Sequence, residues 1–276
     1  GTAAHPRHRH MILAHNSPVE HGVLVAAGAL AVGLYGWAWL RRPNASTWRL
    51  ASWSTGIATV LIALIPAMER WAQRSFTGHM VQHLMIITIA APLLVLSAPI
   101  ETLRRLPWMP RRTTATERIV ARWWRASAGL PAAVAFLGVL YLTHLTAIYN
   151  EALGNNVLHD VEHVAYLGSA VLLWAAITGR GRRAGPARMG VVFAVIGGSA
   201  ILGMVLISAS APLVPTYEQR LGFAAALNDQ RLAASLMWVA GMATTLPLLI
   251  FSVWNWAATE QRIALRAEAL ADGLGS

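Results

Sequence analysis

The 276-residue chain has no cysteine and no lysine, and only 12% of it is charged, where a soluble globular domain carries about 25%. Without cysteine, disulfides, iron–sulfur clusters and thiolate metal sites are excluded, so any metal has to be held by imidazole, thioether or oxygen. Too few charges are available to cover the surface of a water-soluble fold of this length, which excludes an ordinary soluble enzyme. What is there instead is apolar: 56% hydrophobic residues and a mean hydropathy of +0.49. Such a composition also excludes disorder.

Seven runs each approach the roughly 20 apolar residues that cross a bilayer as a helix: 21–40, 51–68, 79–99, 130–149, 158–178, 189–212 and 232–256, none containing Arg. They predict an all-α membrane protein, a seven-transmembrane-helix bundle spanning 21–256, flanked by a His-rich N-terminal tail over 1–20 and a C-terminal tail over 257–276. Arg is concentrated after the first, third, fifth and seventh runs, which together hold 16 of the 22 Arg. By the positive-inside bias those connections are cytoplasmic, so the N-terminus is expected outside and the C-terminus inside. The net charge of +10 then has a topological origin, and nucleic acid is not expected as a partner. Trp37, Trp39, Trp174, Trp254 and Trp256 fall near the inner ends, as an interfacial belt would. Pro66, Pro92 and Pro247 fall inside runs and favour kinks. In the 101–129 loop, the stretch from Glu117 to Arg125 mixes Arg with Trp and aliphatics. It reads either as a short amphipathic helix on the inner surface, against anionic lipids, or as a solvated basic loop.

The ten histidines are the informative feature. His5, His8, His10, His15 and His21 lie in the N-terminal stretch, where a short His-rich tract is only a compositional signal of metal binding. The other five lie in or beside the runs, where ionisable residues are costly and functional by default. With the N-terminus outside, His79 and His83 open the third run, His144 closes the fourth, and His159 and His163 open the fifth. All five then share one outer level. The pairs His79/His83 and His159/His163 are spaced i,i+4, which puts two imidazoles on one helix face. Gln82 and Glu162 hold equivalent places in the two segments and can orient ring nitrogens or supply a ligand. Asp160 and Glu162 add negative charge that a cation would offset. An interfacial cluster that only joins helices is the alternative; two pairs and a fifth histidine at a common depth favour a metal or cofactor site. Imidazole suits zinc, copper, iron and nickel, and thioether selects Cu(I). Met80 and Met237 therefore enter as soft candidate ligands, and a His/Met site without Cys on the outer face favours copper.

Three segments resemble the integral-membrane CtaG family, the assembly factors of caa-type cytochrome c oxidase: His79-Met-Val-Gln-His-Leu-Met-Ile through Pro99, Leu158-His-Asp-Val-Glu-His163 to Trp174, and Asn228-Asp-Gln-Arg through Met-Trp-Val-Ala-Gly241. The resemblance covers roughly 20–256 and implies a multi-pass protein of the bacterial cytoplasmic membrane. It also implies a role in maturing the copper centres of a haem–copper oxidase, with an oxidase subunit as partner. Carried over by position, it points to His79, His83, His159 and His163, with Asp229, Gln230 and Met237 beside them. An enzyme is the less expected outcome. Two alternatives stay open: a zinc-dependent membrane hydrolase using His159-Asp-Val-Glu-His163 as an H-x-x-E-H string with Glu162 as general base, and a bis-His haem electron carrier.

Overall fold

A computed structural model describes residues 18–41, 46–109, 129–178 and 185–274, with isolated positions between 114 and 122. The fold is all-helical, 88% helix, with no strand among the described residues. Four helices are long and apolar enough to cross a membrane, or five if one bent pair counts as a single span. They include Glu20–Leu40, Phe76–Leu103, Asn156–Thr178 and Ala187–Ser208. Many apolar side chains face outward, among them Leu40, Val157, Val164 and Trp254. Exposed apolar surface on this scale is what a bilayer, not water, would cover.

Helix α1 (Pro18–Leu40) packs beside α2 (Thr47–Ala63). The second run is not one rod. It breaks after Ala63, and α3 (Pro66–Arg74) leaves at 52°, because Pro66 lacks the N–H that would continue α2 but suits the first turn of a new helix. Next comes α4 (Phe76–Leu84), a six-residue π-helical segment (Met85–Ala90), α5 (Ala91–Leu96) and, after a left-handed residue at Ala98 (φ 51°), the short α6 (Pro99–Leu103). The π segment has a local cause. Ala91 N–H bonds the Ile86 carbonyl, five residues back. The next bond in that register would come from Pro92, which has no N–H, so the Ile87 carbonyl accepts from Trp174 Nε1 at 2.9 Å instead. Trp174 is therefore a buried core residue and not part of an interfacial belt.

The fourth run ends early, as α7 (Leu130–Leu145) and a separate α8 (Ile148–Ala152). Asn155 accepts from Leu158 N–H at 3.2 Å at the head of α9 (Asn156–Thr178), and α10 (Gly185–Ser208) follows. A short α11 (Pro215–Leu221) leads into α12 (Phe223–Leu274). Pro247 lies within α12 without ending it, and the helix runs on through most of the residues expected as a tail. His5, His8, His10 and His15 lie outside the described residues, as does nearly all of the 117–125 stretch.

The core that positions the site lies among α4, α7, α9, α10 and α12. Beside it α3 packs closely on α4, where a Cβ added to Gly78 would sit 2.7 Å from the Trp71 carbonyl carbon and oxygen. Gly78→Ala is accordingly expected to destabilise the fold by about 1–3 kcal/mol, seen as a lower unfolding temperature in detergent. An unchanged unfolding temperature would show that the α3–α4 contact is compliant.

Candidate metal centre

Helix α4 is held at its first turn by three acceptors. Asp229, from α12, accepts from Phe76 N–H at 2.6 Å and Thr77 N–H at 3.3 Å, and Ser75 Oγ accepts from Gly78 N–H at 2.9 Å. The first helical bond follows, from His79 N–H to the Ser75 carbonyl. The orphan donors of the helix start are thus satisfied, and α4 is fixed in rotation one turn before its histidines.

From α4 the imidazoles of His79 and His83 meet at an Nε2–Nε2 distance of 3.1 Å, while neither Nδ1 has a hydrogen-bond partner among the described residues. From α9 the rings of His159 and His163 lie against them, at centroid distances of 5.1 Å (His79–His159) and 5.3 Å (His83–His163). Glu162 Oε2 is 3.6 Å from His79 Nε2, and both carboxylate oxygens lack a hydrogen-bond partner among the described residues. His79, His83, His159 and Glu162, all buried, each offer one ligand atom, and these atoms lie within 4.8 Å of one another. A second group, Glu69, His159 and His163, meets the same limit and shares His159.

Glu69 escapes the sequence pattern. It sits on α3, buried, with Oε2 3.5 Å from His159 Nδ1. Its Oε1 accepts from Gln82 Nε2 at 2.6 Å, and the same nitrogen donates to the Ala63 carbonyl at 2.8 Å. Gln82 thus ties the break between α2 and α3 to α4 and acts on the cluster through Glu69. The signal lay in Pro66 with an acid three residues on, a helix start inside the second run with the acid just past its end.

The other sequence candidates stand elsewhere. His144 is buried but outside both groups; its Nδ1 lies 2.8 Å from the Leu140 carbonyl, and its Nε2 has no hydrogen-bond partner among the described residues. Met80 and Met237 are buried and, with His83 and His144, line a cavity of about 60 Å³ beside the cluster. Asp160 is exposed and outside both groups. Gln230 spans two backbones, accepting from Leu213 N–H at 2.7 Å and donating to the Leu206 carbonyl at 3.0 Å. Glu162 supplies a candidate ligand atom and not only an orienting group. A porphyrin between axial imidazoles needs an open slab, whereas these rings pack on one another, His79 on His83 and His159 on His163 at 4.3 Å. That packing suits a single ion held by facing imidazoles.

The donor set fits a borderline metal ion. Two nitrogens 3.1 Å apart, at metal–nitrogen bonds of about 2.0–2.1 Å, subtend an angle of roughly 100° at the ion, between octahedral and tetrahedral values. Two buried carboxylates also balance the charge of one divalent ion. Removing the Glu69 charge while keeping its shape should therefore matter: Glu69→Gln is expected to weaken metal binding by at least about tenfold, measured by competition with a chromophoric chelator. Unchanged affinity would remove Glu69 from the centre.

Fold and site together define an all-helical membrane-type protein with a buried His/carboxylate centre. The chain belongs to the Caa3_CtaG family, the cytochrome c oxidase caa3 assembly factors, whose family model matches residues 33–259. Uncharacterized proteins of Mycobacterium bovis and Mycobacterium tuberculosis are each 25% identical to it over 269 residues, covering 91% of this chain and 40% of theirs. One of Mycobacterium leprae is 25% identical over 273 residues, covering 90% of this chain and 41% of its own. The chain thus spans about two-fifths of the length of these curated relatives. No solved structure matches.

Proposed function

We propose that this protein binds copper at the His79/His83/His159/Glu162 centre and passes it to a subunit of a haem–copper oxidase during assembly. The observation that carries the proposal is the convergence of three imidazoles and a carboxylate within 4.8 Å in a buried site, in a family of oxidase assembly factors. The protein is read as a seven-span, multi-pass component of a bacterial cytoplasmic membrane, with the N-terminus outside, the centre near the outer face and residues 257–276 inside. Anionic lipids are assigned to the 101–129 loop.

The chemistry divides among named residues. His79, His83 and His159 supply nitrogen donors, and Glu162 supplies an oxygen and a charge. Glu69, held by Gln82, adds the second charge, and His163 completes the shared second group. Copper is cargo here, so the ion has to leave as well as arrive.

Zinc is the second reading, favoured by the presence of the Glu162 carboxylate in the cluster. Elemental analysis and an absorption spectrum of the purified full chain decide between them. Copper without a Soret band supports the proposal, and zinc as the bound metal overturns it.

A further inference from the structure

A recess of about 360 Å³ opens between the end of α7, α8 and the chain leading into α11, lined by His144, Thr146, Tyr149, Asn150, Leu213 and Pro215. Its rim is at the surface, where Thr146 is exposed and Leu213 is 44% exposed. Asn150 Oδ1 clamps the rim by accepting from Thr216 N–H at 3.1 Å and Thr216 Oγ1 at 2.8 Å. Its floor is buried: Tyr149 is 1% exposed and His144 4%. The Tyr149 ring lies 4.6 Å from that of His79 and 5.7 Å from that of His144. Only one aromatic ring thus separates the recess from the His79 imidazole. His144 also lines the cavity of about 60 Å³ that His83 lines.

The state of His144 follows from its neighbours. Thr143 Oγ1 and the Tyr166 hydroxyl also approach Nδ1, at 3.1 and 3.2 Å, but they pair with each other and Thr143 donates to backbone carbonyls. The shortest contact, the Leu140 carbonyl at 2.8 Å, can only accept, which assigns the proton of the neutral ring to Nδ1 and the lone pair to Nε2. That atom is buried and has no hydrogen-bond partner among the described residues. It is the ligand-ready face of a histidine that the equilibrium centre does not use. Sizes divide the path. Six waters occupy about 180 Å³ in liquid water, so the recess holds a hydrated cation, while the inner cavity has room for one or two waters.

We infer that this recess is the port through which the metal cation reaches the centre, with His144 Nε2 as a transient ligand that takes the ion as it sheds water and Tyr149 as the ring it must pass. This inference rests on the metal-binding reading above and adds a route and a staging ligand to it.

The absence of cysteine from the chain allows a direct test. Single cysteines at Thr146→Cys and Leu213→Cys, on the rim, are coupled to a bulky membrane-impermeant maleimide in the detergent-purified full chain. Ile100→Cys, 70% exposed at the far end of the candidate span Phe76–Leu103, is the control. Uptake of copper(II) added as its sulfate is followed by quenching of tryptophan fluorescence, and final copper content by elemental analysis. Modified rim variants are expected to load at least about tenfold more slowly than the control, as when binding waits on a conformational opening, yet to reach the same copper content. His144→Gln is expected to slow loading likewise without lowering the final content. Rim-modified protein that loads as fast as the control overturns the port, and a lower final content in His144→Gln overturns the staging role by putting His144 in the centre itself. A chain that takes up no copper in any form overturns the metal-binding reading and the port with it, an outcome distinct from normal uptake by another route.

Discussion

Replacing both His79 and His83 with Ala is expected to leave no metal on the protein after desalting, while the helical content in detergent stays intact. The two residues bring two of the four ligand atoms that lie within 4.8 Å of one another. Structural four-ligand zinc sites bind with about 10–16 kcal/mol; on that scale losing half the donors forfeits on the order of 5–8 kcal/mol, or four to six decades in affinity. His159→Ala with His163→Ala should do the same, since His159 is shared by both donor groups. Emptying two buried imidazole volumes also threatens packing. His79→Asn with His83→Gln therefore serves as the companion variant, keeping polar side chains in place; if it retains one metal per chain, the centre lies elsewhere.

A strain without the gene is expected to make its haem–copper oxidase polypeptides but to leave them short of copper, with most of the oxidase activity lost and part of it regained when copper is added to the medium. The family defined by residues 33–259 is one of oxidase assembly factors, and the centre is the place on this chain where such an ion would be carried. Variants at His79, His83, His159 or His163 should behave as the deletion does. Copper content measured on oxidase purified from the deletion strain is the deciding quantity. A normal value there ends the delivery hypothesis whatever the chain itself binds.

The sequence made some of this legible and hid the rest for identifiable reasons. His79/His83 and His159/His163 are spaced to share helix faces, and each pair begins about one turn from a helix start, so their convergence needed only that α4 and α9 be neighbours. Glu69 is missed by that pairing because it belongs to neither helix; it comes from α3, which exists only because the second run breaks before Pro66. Hydropathy averages over such breaks, which is why 51–68 and 79–99 read as single rods while the structure divides each. Asp229 and Gln230 sit next to each other in sequence but do different work. Asp229 anchors the first turn of α4, and Gln230 ties α12 to the chain around Leu206 and Leu213. Position in a shared motif told where they are, and only the hydrogen-bond partners told what each one holds.

The π-helical segment between His83 and Pro92 makes the candidate span Phe76–Leu103 two helices out of phase. An inserted residue in a helix shifts everything on one side of it by about 100° of rotation. The face of α4 that carries His79 and His83 is therefore uncoupled from the face that α5 presents, so each half can satisfy a different set of neighbours. The upper half turns its imidazoles toward α9 and α3; the lower half packs Leu94 over Gly56 of α2. Trp174 secures the slip by filling the bond it leaves open, and it does so from α9, the helix that carries His159 and His163. One indole thus keys the angular setting of one histidine pair to the helix that bears the other.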